Sequence, residues 1–138
     1  MPDRVLPVPD EASAPYWAAC AEHVLKLPRC SQCRMFAFPP DITCPNCHSL
    51  EPTYAFEEVS GRGAIRTWTV VRHSFLGGFD LPFTLVDVQL DDHPHIRLIG
   101  QFVDGADAPI GPGDPVEVVF QDLAPGVAVP AFTRRTPR

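Results

Sequence analysis

Cys30-Ser31-Gln32-Cys33, a connection of ten residues, and Cys44-Pro45-Asn46-Cys47 make up the stretch on which the fold turns. Two Cys-x-x-Cys pairs at this spacing put four thiolates at the corners of one tetrahedron, each pair held by a tight turn. A metal bound there stabilises a short, loop-rich segment with little apolar core of its own. Four sulfurs leave no position open for water, so the expected ion is one structural Zn2+ per chain, held by Cys30, Cys33, Cys44 and Cys47. Other readings of the same cysteines stand beside this one. A pair of disulfides needs an oxidising compartment, and a redox Cys-x-x-Cys needs a free nucleophile. Iron competes with zinc because Cys-Pro-x-Cys also occurs in rubredoxin-like knuckles. Arg34 and His48 follow the second cysteine of each pair, where such knuckles ordinarily carry a left-handed Gly. His48 is an alternative ligand, but its place beside Cys47 favours the surface.

Towards the N-terminus, Trp17, Cys20, Ala21, Val24 and Leu25 recur at spacings of three and four. With Ser13 as cap and Pro15 in the first turn, they predict one amphipathic helix over 14–26. Cys20 falls on its apolar stripe and reads as a small buried hydrophobe. Residues 1–12 have three prolines and no hydrophobic period, so an extended or poorly ordered arm is expected.

Towards the C-terminus the pattern turns to short β-type runs broken by Gly, Pro and Asp. In 63–73, Ile65, Thr67, Thr69 and Val71 alternate with Arg66, Trp68, Val70 and Arg72, which predicts two faces of one strand. Further strands are predicted at 83–91, 96–103, 115–120 and 127–132, the last after the turn Ala124-Pro125-Gly126. No helix long enough for a parallel crossover lies between them. Five such runs predict a small antiparallel barrel of the OB-fold kind. The expected organisation is mainly β: arm and helix over 1–27, a rubredoxin-like zinc ribbon over 28–55, and a five-stranded OB-fold barrel over 56–138.

Length and charge narrow the function. The chain has 138 residues, which is one domain or two very small ones. Seventeen acidic against 11 basic side chains give a net charge of -6, with the acids spread from Asp3 to Asp122. Binding a polyanion depends on Lys and Arg displacing counterions, so nucleic acid is a disfavoured partner. No window is apolar enough to span a membrane and no secretory pattern opens the chain, so a cytoplasmic location is expected.

The order of parts carries a resemblance: a Trp-bearing helix, Leu27-Pro28-Arg29-Cys30-x-x-Cys33, Phe38-Pro39-Pro40, Cys44-Pro45-x-Cys47, Gly61-Arg62-Gly63, and a late Ile110-Gly111-x-Gly113. Over about residues 14–132 the chain resembles the small acyl-CoA-associated proteins known as domain of unknown function family thirty-five, in which a rubredoxin-like zinc ribbon precedes an OB-fold. Members partner thiolase-superfamily enzymes, including thiolases, acyltransferases and the lipid-transfer-protein-like aldolases of steroid side-chain degradation. The resemblance implies an accessory subunit, in a hetero-oligomer of two plus two chains, for an enzyme acting on an acyl-CoA.

The residues offer candidate contacts for such a role. The connection 73–83 is rich in large apolar side chains, and Phe75 and Phe79 either plug the barrel end or meet a partner. Trp17, Phe36 and Phe38 divide in the same way between internal packing and docking. Arg62, Arg66 and Arg72 near Trp68 could hold the phosphates and adenine of CoA, or they could be solvated arginines paired with the many acids. The His93-Pro94-His95 segment after Asp91-Asp92 reads first as turn chemistry. No nucleophile motif, P-loop or dinucleotide fingerprint is present, so catalysis is expected of a partner. The alternatives from other classes are a single-strand nucleic-acid binder and an iron-bearing electron carrier.

Overall fold

The computed structural model describes residues 4–136. After an arm without regular structure come α1 (Ala14–Ala21), β1 (Lys26–Cys30) and β2 (Tyr54–Glu58). The strands β3 (Arg62–Val71), β4 (Phe83–Leu90), β5 (Arg97–Phe102), β6 (Pro115–Ala124) and β7 (Val127–Arg134) follow. The expected mainly β architecture is present, a helix and a cysteine-bearing ribbon leading into a five-stranded OB-fold barrel.

The helix begins at Ala14 as expected but stops at Ala21 instead of 26, and its C-terminal closure explains why. Ser13 stands at the N-cap but its hydroxyl turns upstream, accepting from the Asp10 N–H at 3.1 Å, while the Asp10 carboxylate accepts from the Ser13 N–H at 2.7 Å. At the other end the His23 N–H donates to Cys20 O at 2.9 Å and the Val24 N–H to Ala19 O at 3.0 Å. That pair of bonds is a Schellman closure, and it needs a left-handed residue, which here is His23 at φ 61°. Leu25 is thereby released from the expected helical stripe and is buried just ahead of β1, next to the buried Leu27 within that strand.

β1 and β2 pair antiparallel from Lys26 opposite Glu58 to Cys30 opposite Tyr54, closing the ribbon as a two-stranded hairpin. β2 therefore straddles position 55, where the ribbon was expected to end. The remaining strands close a barrel in the order β3-β4-β5-β7-β6. Four seams are antiparallel, and the fifth, Gln101 opposite Ala131 and Phe102 opposite Phe132, is parallel. A closed ring with an odd number of strands cannot alternate direction throughout, so one seam of this kind is obligatory.

The two faces read from alternation in β3 are corrected by a bulge. Ile65 pairs with Val88, Thr67 with Asp87 and Trp68 with Val86, so Arg66 is the extra residue. Beyond it every side chain changes face: Trp68 and Val70 share the side of Val86 and Thr84, while Thr67 and Thr69 join Asp87 and Leu85. Arg66 leaves the face expected for it beside Trp68 and donates to Asp87 Oδ2 at 3.1 Å.

The glycines that open the barrel are required by close approach. A Cβ on Gly63 would lie 2.5 Å from Gln89 O, and Gly61, at φ 74°, faces Val118. The barrel interior is filled by Ile65, Val86, Val88, Leu90, Phe102, Val116 and Phe132. It is continuous with Tyr16, Cys20, Leu27 and Phe36, so helix, ribbon and barrel share one core.

Candidate functional site

The two knuckles are built alike. In the first, the Arg34 N–H donates to Cys30 O at 2.9 Å and the Cys30 N–H to Met35 O at 2.9 Å. In the second, the His48 N–H donates to Cys44 O at 2.9 Å and the Cys44 N–H to Ser49 O at 3.1 Å. Arg34 and His48 take the left-handed conformation, φ 65° and 63°, at the positions where Gly was expected. The turn is thus made without glycine, at a steric cost of about 1 kcal/mol at each site.

The four sulfurs lie within 4.8 Å of one another. Cys30 and Cys47 are 3.9 Å apart, and Cys33 and Cys44 3.8 Å. A tetrahedral ion with Zn–S bonds of about 2.3 Å has edges of about 3.8 Å, so the donor set fits a four-coordinate thiolate-bound metal. Amide N–H groups of Cys47 and then Asn46 favour the Cys44 thiolate against the opposing effect of burial and bring that thiol down to about 6. Cys30 and Cys44 are fully buried and Cys47 is exposed. Among the described residues, no other group of three or more His, Cys, Asp or Glu brings its donor atoms together in this way. His93 and His95 serve structure instead: the His93 ring packs 4.5 Å from Phe36, and His95 Nε2 bonds Phe36 O at 3.0 Å.

The second candidate region is the barrel surface around the loop 72–82. A cavity of about 350 Å3 opens over β4 and β5, walled by Trp17, Phe79, Phe83, Ile99 and Val129, with Arg4, Gln101 and Gln121 as its polar groups. A shallower apolar hollow of about 260 Å3 adjoins it around Trp68, sharing Leu85 and Ile99. Trp17 and Phe79 therefore come together in one cavity, and Trp68 lies beside it. Phe75 projects wholly into solvent, at 109 % relative exposure, flanked by Leu76 and Leu81 at 55 % and 44 %.

The other expected contacts lie elsewhere. Phe36 is buried at the ribbon–barrel junction, with Arg29 over its ring at 5.2 Å, and Phe38 packs 5.1 Å from Tyr16. Arg62 lies with Glu117 and Arg135 in a polar recess. Arg66 is paired with Asp87, and Arg72 is exposed at the end of β3. The three arginines therefore do not converge on Trp68. The cavity residues that sequence reading missed include Arg4, Ile99, Gln101 and Gln121. Of these only Ile99 left a signal, an apolar residue on the outward side of an alternating strand, where it is 71 % exposed.

A four-cysteine ribbon set ahead of a closed five-stranded barrel defines a class, the zinc-ribbon and OB-fold proteins. Residues 17–53 match the family model of the ChsH2 rubredoxin-like zinc ribbon domain, and residues 56–121 match that of the ChsH2 C-terminal OB-fold domain. The chain belongs to this ChsH2, or DUF35, family. It is similar to a chain of the Ltp2-ChsH2(DUF35) aldolase, with 26 % identity and a TM-score of 0.81 over 93 % of this chain and 98 % of that one. It shares its fold with a DUF35 protein of unknown function from Sulfolobus solfataricus, with 9 % identity and a TM-score of 0.60 over 91 % and 86 % of the two chains. It is also 26 % identical, over 98 % of its own length, to a probable enoyl-CoA hydratase alpha subunit of Thermomonospora curvata. This chain spans 41 % of that relative. No described helix is long and apolar enough to cross a membrane.

Proposed function

We propose that this chain is a non-catalytic accessory subunit that binds a lipid-transfer-protein-like enzyme of the thiolase superfamily and supports its action on an acyl-CoA. Within that class the preferred case is a retro-aldolase acting on a bulky, steroid-like side-chain CoA thioester, in a complex of two plus two chains. The observation that carries this reading is the likeness to a chain of the Ltp2-ChsH2(DUF35) aldolase, which extends over nearly the full length of both chains. The ribbon holds a zinc ion through Cys30, Cys33, Cys44 and Cys47, and that ion, saturated by sulfur, supplies folding free energy and no open coordination position. The partner meets the loop around Phe75, Leu76 and Leu81, because a fully exposed aromatic flanked by aliphatics gains most from being covered.

The test is affinity capture of the tagged full-length chain from its native host, with identification of bound proteins and metal analysis of the same eluate. A stoichiometric thiolase-like partner and one zinc per chain are expected, together with aldol-cleaving activity that falls when this chain is removed. A partner equally active and stable without it overturns the reading. A red, redox-active sample would support the electron carrier, and salt-sensitive recovery of oligonucleotides the nucleic-acid binder. Phe75→Ser is expected to weaken partner capture at least tenfold while leaving the urea midpoint of the free chain unchanged.

A further inference from the structure

Residues 4–10 belong to no helix or strand, yet they lie across one face of the barrel. The Arg4 guanidinium stacks over the Phe79 ring at 4.4 Å from its centroid, and Nη1 donates to Gln121 Oε1 at 3.5 Å. Pro7 and Pro9 close a hollow of about 60 Å3 against Trp17 and the Gly126–Ala128 turn. Each proline fixes its own φ near about -65° and holds the residue before it extended, so Leu6 to Pro9 are pre-set in polyproline form. An extended proline-bearing segment on aromatic walls is how proline-rich peptides are bound, and this barrel face with its flanking loops is where OB-folds take ligands.

The arm sits close but is lightly held. A Cβ on Gly78 would lie 2.4 Å from Arg4 N, so the loop admits the arm only because that position has no side chain. Arg4 Nε is buried without a hydrogen-bond partner, and Val5 and Val8 are 68 % and 90 % exposed. Among the described residues, the first backbone-to-backbone hydrogen bond along the arm is at Asp10, whose carbonyl accepts from the Ala14 N–H at 2.8 Å. The face of the Phe79 ring and the amide oxygen of Gln121, the two groups that hold Arg4, favour a cationic occupant over an acidic one.

We propose that this face is a binding groove for extended, proline-rich segments that carry an arginine, and that residues 4–9 fill it in cis until such a segment of a partner protein displaces them. Tethering gives the arm an effective concentration on the order of millimolar, so a competing peptide binds the intact chain weakly and a chain with a weakened arm well.

The test uses the full chain carrying Arg4→Ala, Pro7→Gly and Pro9→Gly together, titrated by calorimetry with a synthetic peptide of the sequence of residues 4–10. Saturable binding roughly tenfold tighter than to the unaltered chain is expected, falling at least fivefold when the arginine of the peptide is replaced by alanine. Gly78→Ala added to the arm variant puts a Cβ where the backbone of any arginine-bearing occupant must lie, and is expected to lower peptide affinity at least fivefold. Equal binding to altered and unaltered chains, binding indifferent to the arginine, binding undiminished by the added Gly78→Ala, or no binding at millimolar peptide to the arm variant overturns the proposal. Circular dichroism and metal content matching the unaltered chain certify that each variant is folded.

Discussion

Ribbon and barrel both close a stretch of chain upon itself, and they do it with different materials. Between Cys30 and Cys47 the buried side chains are Cys30, Phe36, Ala37 and Cys44, too few to stand against the entropy of ordering the loop. The barrel closes through five backbone seams around large apolar residues. One region therefore depends on four sulfurs and an ion, the other on packing, and each should fail under a different insult.

The largest expected effect follows from that division. Stripping the metal with a chelator, or Cys44→Ser, removes an interaction worth on the order of 10 kcal/mol and should abolish amide-exchange protection across residues 30–47. Amides of β3 to β7 should stay protected. If both regions lose protection together, the shared core through Leu27 and Phe36 has made them one cooperative unit and the comparison breaks. Next in size, Phe132→Ala should cost about 3–5 kcal/mol by urea unfolding, because its ring is fully enclosed, while metal content stays at one ion per chain.

A smaller effect comes from the junction between helix and core. Burial pushes the Cys20 thiol up from 9.0 to about 11 and raises the Tyr16 hydroxyl as well. Both groups stay neutral in the fold, whereas in the unfolded chain they ionise at lower pH. The Cys20 contribution to stability is complete below about pH 9 and is lost as pH rises towards about 11, and that of Tyr16 fades over a higher range. Cys20→Ala should flatten that decline in the urea midpoint, and an unchanged slope would show that the thiol plays no part in it. The smallest effect sharpens the account of the knuckles: Arg34→Gly or His48→Gly should relieve about 1 kcal/mol of left-handed strain and tighten metal binding about fivefold in chelator competition.

The parts legible in the sequence were those with short-range rules. Cysteine spacing identified the four ligand candidates because each Cys-x-x-Cys pair is a local turn, and strand positions followed from alternation and turn residues. What escaped depended on non-local pairing or an atypical residue. Nothing in 63–73 announces that Arg66 is the bulge, since Asp87 defines it from across the sheet. His23 ends the helix from a position where Gly is the usual signal. Arg4 carries no pattern at all, and its place is set by Phe79, Gly78 and Gln121, far along the chain.

Phe36 has a mechanical consequence. Its ring is enclosed between Arg29 and His93, its carbonyl bonds His95 Nε2, and the same carbonyl accepts from Asn46 Nδ2 at 3.1 Å. That single residue pins both the metal-bearing loop and the β4–β5 turn. A load applied to the ribbon is therefore carried straight into the barrel wall, and a protein that grips one end of this chain steers the other as a rigid lever.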